Sequence, residues 1–339
     1  MATATTRADV RAAGERPHRS LWSDAWRRLL ASTPGRIGLV MCGLLVALAI
    51  GVQIMMPFDS TQADRNLRAR LQPPTPLMDA ATRDRLRLEF WSLPFGADEL
   101  GRNIFVRVLQ GAPISLTIGI FAVGVAVIFG SLLGLLAGYV GGWFDTIAVW
   151  IMDIMLAFPS ILLAIAITTA TGGPDSFSTQ LFRALSNLPG VGSLIDQRLF
   201  NAMLAVGIVE IPIFARIARA TVIALRNQEF VTAARATGVS DGRILFRHIL
   251  PNSLAPLLVQ ATLSMATAII SVAALGFLGL GAQPPRPEWG TMLSSARDYV
   301  AQGKWWYPTF PGLAIIFTVL GFNLLGDGLR DALDPRLKR

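Results

Sequence analysis

Six long stretches with few or no charged side chains constrain the fold of this 339-residue chain more than any other feature. A helix needs about 20 mostly apolar residues to cross the hydrocarbon core of a membrane. The stretches lie at 37–56, 114–138, 146–170, 199–223, 254–281 and 308–326. Charged residues make up 15% of the whole chain, against about 25% in soluble domains. The sequence therefore predicts an all-α polytopic membrane protein with six transmembrane helices.

The distribution of basic residues orients these helices. An even number of spans puts both termini on one side of the membrane. With both termini inside, the inner segments carry 15 Lys and Arg in 86 positions, and the outer segments carry 13 in 111. Cytoplasmic loops are enriched in basic residues, so we predict that both termini are cytoplasmic.

The segment before the first span has a helical pattern and no apolar core of a signal peptide. Trp22, Trp26, Leu29 and Leu30 share one helical face, and Arg27 and Arg28 point away from it. This spacing predicts a helix that lies along the membrane surface. A disordered basic tail is the alternative.

A scarcity of reactive residue types excludes several functions. The two lysines, Lys304 and Lys338, are not followed by Ser or Thr, so the chain has no P-loop for ATP. One cysteine, Cys42, and two histidines supply neither an internal disulfide nor a structural zinc site. We therefore expect no catalytic residue, no metal and no cofactor bound by this chain. The net charge of +8 is attributed to orientation in the lipid bilayer and to the basic tail, not to a nucleic-acid partner.

Three glycines and two acids stand out within the spans. Gly130, Gly134 and Gly138 recur every four residues, which predicts a helix-packing seam. Asp153 and Glu210 each place a carboxylate within a span, at a cost of about 2.5–3.5 kcal/mol on insertion scales. Each carboxylate is therefore expected to face a cavity or a polar partner. A proton or substrate site and a structural polar contact both remain open, with Pro159 and Pro212 expected to kink their helices.

A hydrophilic segment follows the fourth span, with the sequence EFVTAARATGVSDGRILFRHILP from Glu229 to Pro251. Residues 230–237 predict a short helix that Gly238 ends, and Ser240 is a candidate N-cap for a second helix through Leu250. Small side chains on an exposed helix indicate docking to another protein.

This segment resembles the EAA loop of the inner-membrane permease subunits of ABC importers. The family pattern is Glu-Ala-Ala, three residues, Gly, nine residues and Ile-x-Leu-Pro. Here the matching residues are Thr232-Ala233-Ala234, Gly238 and His248-Ile249-Leu250-Pro251. Thr232 and His248 replace the family's Glu and Ile, as is familiar in the dipeptide and oligopeptide branch.

Other stretches extend the resemblance over residues 95–336, and the ending resembles that of the C-type subunit of this branch. They are Phe95 to Asn103, Leu275 to Gly281, Gln283 to Pro285, Glu288 to Gly290, Trp305-Trp306 and Asn323 to Arg336. The resemblance implies the type I ABC importer permease fold, with a core at 111–331 and a coupling loop at 224–253. Around this core lie a cytoplasmic tail at 1–36, the first span at 37–56, a long extracytoplasmic segment at 57–110 and a cytoplasmic C-terminus at 332–339.

The resemblance also implies partners and a location. They are a second, B-type permease subunit, two cytoplasmic ABC ATPase subunits or domains that bind ATP and Mg, and an extracytoplasmic substrate-binding protein. The location is the bacterial cytoplasmic (inner) membrane. Short peptides are the preferred substrate, with nickel chelates or glutathione as alternatives in the same branch.

The loop residues receive roles from this resemblance. Ala233, Ala234 and Gly238 are expected to contact the ATPase closely, with Arg235 and Asp241 as a polar rim. Thr232, His248 and Leu250 complete the motif, and Pro251 is expected to fix where the chain re-enters the membrane. On the outside, Trp289, Trp305, Trp306 and Tyr307 are expected to form an interfacial aromatic group, with Gly290 as a further candidate in the same loop. This group is either a shelf for the binding protein or a lid over the pathway, or else a membrane anchor.

Two functions from other classes remain alternatives. A proton-coupled secondary transporter would use Asp153 and Glu210, but the two halves show no internal repeat of the kind such transporters carry. A receptor or scaffold would need only the docking loop.

Overall fold

The computed structural model describes residues 21–56, 66–187 and 195–333, and these residues form a helical bundle. The helices are α1 (Leu21–Ala31), α2 (Thr33–Met55), α3 (Ala80–Leu86), α4 (Ile104–Val140), α5 (Gly142–Ala157), α6 (Ser160–Ala170), α7 (Phe177–Ser186), α8 (Gln197–Leu225), α9 (Glu229–Ala236), α10 (Asp241–Phe277), α11 (Trp289–Val300) and α12 (Trp306–Leu333). The predicted all-α class is confirmed. Residues 334–336, the end of the stretch from Asn323 to Arg336 that resembles the C-type subunit, lie outside the described residues.

Helix α2 begins at a capped turn and packs against α12. The Ser32 hydroxyl accepts a hydrogen bond from the Gly35 N–H at 3.2 Å, and Pro34 occupies the first turn, where its missing N–H costs nothing. A Cβ on Gly38 would lie 2.3 Å from the Leu325 nitrogen of α12. Leu29 of α1 is buried at this junction, whereas Trp26 and Leu30 of the proposed surface helix are exposed.

Helices α4 and α8 form the centre of the bundle. A Cβ on Gly134 would lie 2.1 Å from the Ala215 carbonyl oxygen of α8. The same construction on Gly130 and Gly138 meets the carbonyl oxygens of Ile211 and Arg219 at 2.6 and 2.9 Å. Since side chains at these three positions would collide with the α8 backbone, the glycines permit the close approach of the two helices.

Four helices are long and apolar enough to cross a membrane: Thr33–Met55, Ile104–Val140, Asp241–Phe277 and Trp306–Leu333. The predicted third span, 146–170, is not one straight helix, because α5 and α6 meet at an angle of 100°. Pro159 stands at this break, where its missing N–H and its ring prevent the helix from continuing. The predicted fourth span corresponds to the continuous helix α8, which contains Pro212 without a break. This helix is not among the four, so six spans stay a prediction.

The second helix of the hydrophilic segment does not end at Leu250 as the sequence predicts. It runs from Asp241 to Phe277 as one helix, with a wider π-helical turn over Ile244–Ile249. Pro251 follows that turn after Leu250 and cannot donate a backbone hydrogen bond. The chain therefore passes from the hydrophilic segment into the apolar helix without a loop.

Outside the spans, residues 66–103 pack on the start of α4 around a buried carboxylate. Asp98 is 1% exposed and pairs with the Arg102 Nε at 2.6 Å and the Arg107 Nε at 3.5 Å. It also accepts hydrogen bonds from the backbone N–H groups of Leu100 and Arg102, both at 2.9 Å. Burial raises the pKa of the neighbouring Glu99 carboxyl, and the charge of Asp98 adds to the effect.

Candidate functional site

The short helix α9 presents small side chains at the surface. Val231 is buried, Ala234 is half-buried against the core, and Thr232 and Ala233 are exposed. The helix ends where Gly238 adopts a φ of +77°, a conformation that glycine adopts without strain. No described atom lies within 4 Å of a Cβ placed on Gly238. The surface formed by Thr232, Ala233 and Gly238, here called the α9 surface, is therefore open to a partner.

The expected polar rim of this surface contacts the end of α4. The Tyr139 hydroxyl donates a hydrogen bond to the Asp241 carboxylate, and the Arg235 guanidinium carbon lies 5.8 Å from the centre of the Tyr139 ring. Side-chain hydrogen bonding with Tyr139 raises the pKa of Arg235 above its ordinary value. One phenol thus connects both ends of the turn around Gly238 to α4.

The remaining motif residues lie at the start of α10. Ile244 and Ile249 are fully buried, so these residues, at the two ends of the π-helical turn, anchor it to the bundle. His248 and Leu250 are half-buried and Pro251 is exposed. The His248 carbonyl accepts a hydrogen bond from the Asn252 side-chain amide at 2.6 Å. The π-helical turn therefore belongs to the anchored part of the segment, whereas α9 is its exposed part.

Two arginines of α8, and Arg226 directly after it, hold the neighbouring helices. Arg216 pairs with Asp153, and Arg219 donates to both carboxylate oxygens of Asp145, at 2.5 and 2.7 Å. Arg226 donates to the Gly138 carbonyl at 3.0 Å. Arg216 and Arg219 lie inside the predicted fourth span, and the sequence does not identify their partners. Their spacing of three residues, which places both on one helical face, was the available signal.

Glu210 lies beside a cavity of about 470 Å³ in the same region. The cavity is lined by residues of α5, α6, α8 and α10 and by the break between α5 and α6: Met155, Leu156, Phe158, Ser160, Ala164, Val206, Val209, Glu210, Ile213, Thr267, Ile270 and Ser271. The Glu210 carboxylate accepts hydrogen bonds from the Ser264 hydroxyl at 3.0 Å and from the Thr267 hydroxyl at 3.2 Å. Asp153 and Glu210, considered together in the sequence, thus have different surroundings: one has a basic partner and the other faces a cavity.

The aromatic residues of the outer loop are mostly buried, so the expected interfacial group is wrong for three of its four members. Trp289, Trp306 and Tyr307 are at most 5% exposed, and only Trp305 is exposed, at 50%. The Trp289 indole donates to the Val108 carbonyl of α4 at 3.0 Å. These rings cover the outer end of the bundle because the start of α11 packs tightly on α10. A Cβ on Gly290 would lie 2.2 Å from the Ala273 carbonyl oxygen.

A buried acid at the start of α11 was missed by sequence reasoning. Glu288 is 1% exposed, and its carboxylate accepts from the backbone N–H groups of Gly290 and Thr291 at 2.7 and 2.8 Å. Burial raises its pKa to about 7, although both hydrogen bonds act in the opposite direction. No helix is predicted from the sequence at this point, and Glu is not among the residues preferred at helix N-caps, so the sequence offers little signal for this role. Among the described residues, no group of three or more His, Cys, Asp and Glu side chains could hold a metal ion.

Comparison with known proteins places these features in one family. Residues 130–339 match the model of the binding-protein-dependent transport system inner membrane component. Residues 20–74 match the N-terminal TM domain of oligopeptide transport permease C.

Full-length relatives agree with both matches. The dipeptide transport system permease protein DppC of Alkalihalophilus pseudofirmus is 46% identical over 94% of this chain and 91% of its own length. The di/tripeptide transport system permease protein DppC of Pseudomonas aeruginosa is 44% identical over 89% and 88%. The glutathione transport system permease protein GsiD of Pectobacterium atrosepticum is 40% identical over 94% and 93%. This chain is a multi-pass membrane protein that belongs to the family of binding-protein-dependent transport system inner membrane components.

Proposed function

We propose that this chain is a permease subunit of an ATP-driven importer and forms half of a translocation pathway for short peptides. The family supports transport that depends on a binding protein, and relatives at 44–46% identity are named for dipeptide and di/tripeptide transport. The other half of the pathway is a second, B-type permease subunit. An extracytoplasmic binding protein delivers the peptide, and both termini of this chain lie in the cytoplasm.

The open α9 surface is the single observation that carries this proposal. An exposed helix with small outward side chains at Thr232 and Ala233, next to a turn with free space around Gly238, suits close docking into a groove of another protein. Two cytoplasmic ATPase subunits or domains, which bind ATP and Mg, provide that groove and the energy. The anchored start of α10 passes their movement to the spans, because it is continuous with the apolar helix.

Two observations bear on the alternative functions. Asp153 is paired with Arg216, which leaves Glu210 as the one acid of the two that faces a cavity and weakens a proton pathway through both. Glutathione remains the alternative substrate within the family, since a relative at 40% identity is named for it.

The test is uptake by the complete complex in proteoliposomes, supplied with its binding protein and a labelled dipeptide. We expect uptake that requires internal ATP and continues after a protonophore collapses the proton gradient. Uptake that persists without ATP and stops with the protonophore would instead establish a proton-coupled transporter.

A further inference from the structure

Glu210 of α8 differs from the two acids of α5 that contact α8. Asp145 and Asp153 each have an arginine of α8 as a partner, Arg219 and Arg216 respectively. Within the described part of the chain, no basic side chain lies within ion-pair distance of Glu210, whose hydrogen-bond partners are the hydroxyls of Ser264 and Thr267. Asp145 and Asp153 thus each have a compensating positive charge on α8, and Glu210 has none within the described part of the chain.

The carboxylate has unused capacity to accept hydrogen bonds. An ionised carboxylate offers about four lone-pair sites, and the hydroxyls of Ser264 and Thr267 occupy one on each oxygen. Leaving water without a counter-charge is costly for a carboxylate. A group that brings a positive charge and several N–H donors to this position therefore gains both attraction and hydrogen bonds.

The cavity suits a small organic ligand. Its volume of about 470 Å³ falls within the range of about 300–1,000 Å³ of small-molecule sites. Apart from Glu210, much of its lining is apolar, including Phe158, Ile213 and Ile270. Such walls accept side chains of different shape without selecting among them. A single carboxylate on an apolar wall orients a ligand through its positively charged group, which can be the same in ligands whose other parts differ.

We infer that Glu210 binds the N-terminal ammonium group of the transported peptide in this cavity, an inference that rests on the proposed peptide import. Every unmodified short peptide carries this ammonium, whereas its side chains vary. A binding group for the ammonium thus gives the pathway a common contact point for many sequences. Anionic solutes and N-acylated peptides lack the required charge.

Cavity occupancy tests this inference without the binding protein. Ser271 lines the same cavity, so a Ser271→Cys variant in a Cys42→Ala background places one reporter thiol beside Glu210. The complete complex is purified in detergent, and the thiol is labelled with a maleimide in the presence of millimolar Ala-Ala or N-acetyl-Ala-Ala. We expect Ala-Ala to slow labelling several-fold and the acetylated peptide to leave the rate unchanged. Glu210→Gln is expected to abolish the protection, and Glu210→Asp to retain part of it.

Equal protection by the two peptides, or protection that survives Glu210→Gln, would overturn the inference. So would an absence of protection by Ala-Ala in a complex that transports Ala-Ala with ATP. Failure of the proposed function has a different signature, since the unmodified complex would then show no ATP-dependent uptake of Ala-Ala.

Discussion

The Arg219 guanidinium holds both carboxylate oxygens of Asp145, at 2.5 and 2.7 Å, across the contact between α8 and α5. The two side chains are 31% and 20% exposed, so water screens their attraction only in part. Since α5 ends at the sharp break before α6, this pair fixes the near half of a bent element that lines the cavity.

The pair is expected to stabilise the fold measurably. A double-mutant cycle of Asp145→Asn and Arg219→Gln should give a coupling energy of about 1 kcal/mol or more, because the contact is bidentate and charge-assisted. Thermal unfolding of the purified protein in detergent measures it. The exposed neighbours Arg297 and Asp298 provide the control cycle, where coupling near zero is expected. Equal coupling energies in the two cycles would show that the Asp145–Arg219 pair stabilises the fold no more than an exposed ion pair does.

The glycine contact between α4 and α8 should tolerate no side chain at Gly134. Gly134→Ala places a Cβ 2.1 Å from the Ala215 oxygen, and overpacking of this kind costs about 1–3 kcal/mol. We expect a lower unfolding temperature and a lower yield of folded protein. Gly124→Ala on the same helix is the matched control, since no described atom lies within 4 Å of its Cβ. An unchanged unfolding temperature for Gly134→Ala would contradict the close packing.

Glu288 should make stability depend on pH. Its pKa is raised from 4.5 to about 7 in the folded protein, so the folded state holds a proton that the unfolded state releases. The stabilising contribution is therefore complete below pH 4.5 and is lost as the pH rises towards 7, by as much as about 3 kcal/mol. Unfolding temperatures between pH 4.5 and 8 measure this loss. Glu288→Gln should flatten the profile in that window, and an unchanged slope would rule out Glu288 as its source.

The sequence predicted features that depend on local pattern and missed those that depend on distant partners. The apolar stretches and the short helix that Gly238 ends are local signals, and the chain is helical where they occur. The 100° angle at Pro159 was not predictable, because proline stops a helix without fixing the direction of the next one. The partner of Asp153 lies 63 positions away, and no spacing rule connects Asp153 to Arg216.

Burial was the other source of error. Aromatic residues near predicted membrane ends suggested an exposed group, but Trp289 and Trp306 are buried. Both indole N–H groups point to backbone carbonyls of the outer bundle, those of Val108 and Ala97. A tryptophan in a loop between spans has the same local sequence pattern whether it is exposed or buried. The packing of α11 on α10, which brings Gly290 against Ala273, distinguishes the buried case here, and it is not visible in the local sequence.

The ATPase activity of an Ala233→Phe complex tests whether the α9 surface docks the ATPase. Ala233 is exposed, so the larger side chain should leave the unfolding temperature of the subunit unchanged. Ala81→Phe, at an exposed alanine of α3 on the predicted opposite side of the membrane, is the matched control. We expect Ala233→Phe to reduce ATPase stimulation by the peptide-loaded binding protein at least about tenfold, a loss of about 1.4 kcal/mol in coupling, and Ala81→Phe to leave it intact. Normal stimulation in a folded Ala233→Phe complex would show that the α9 surface does not dock the ATPase.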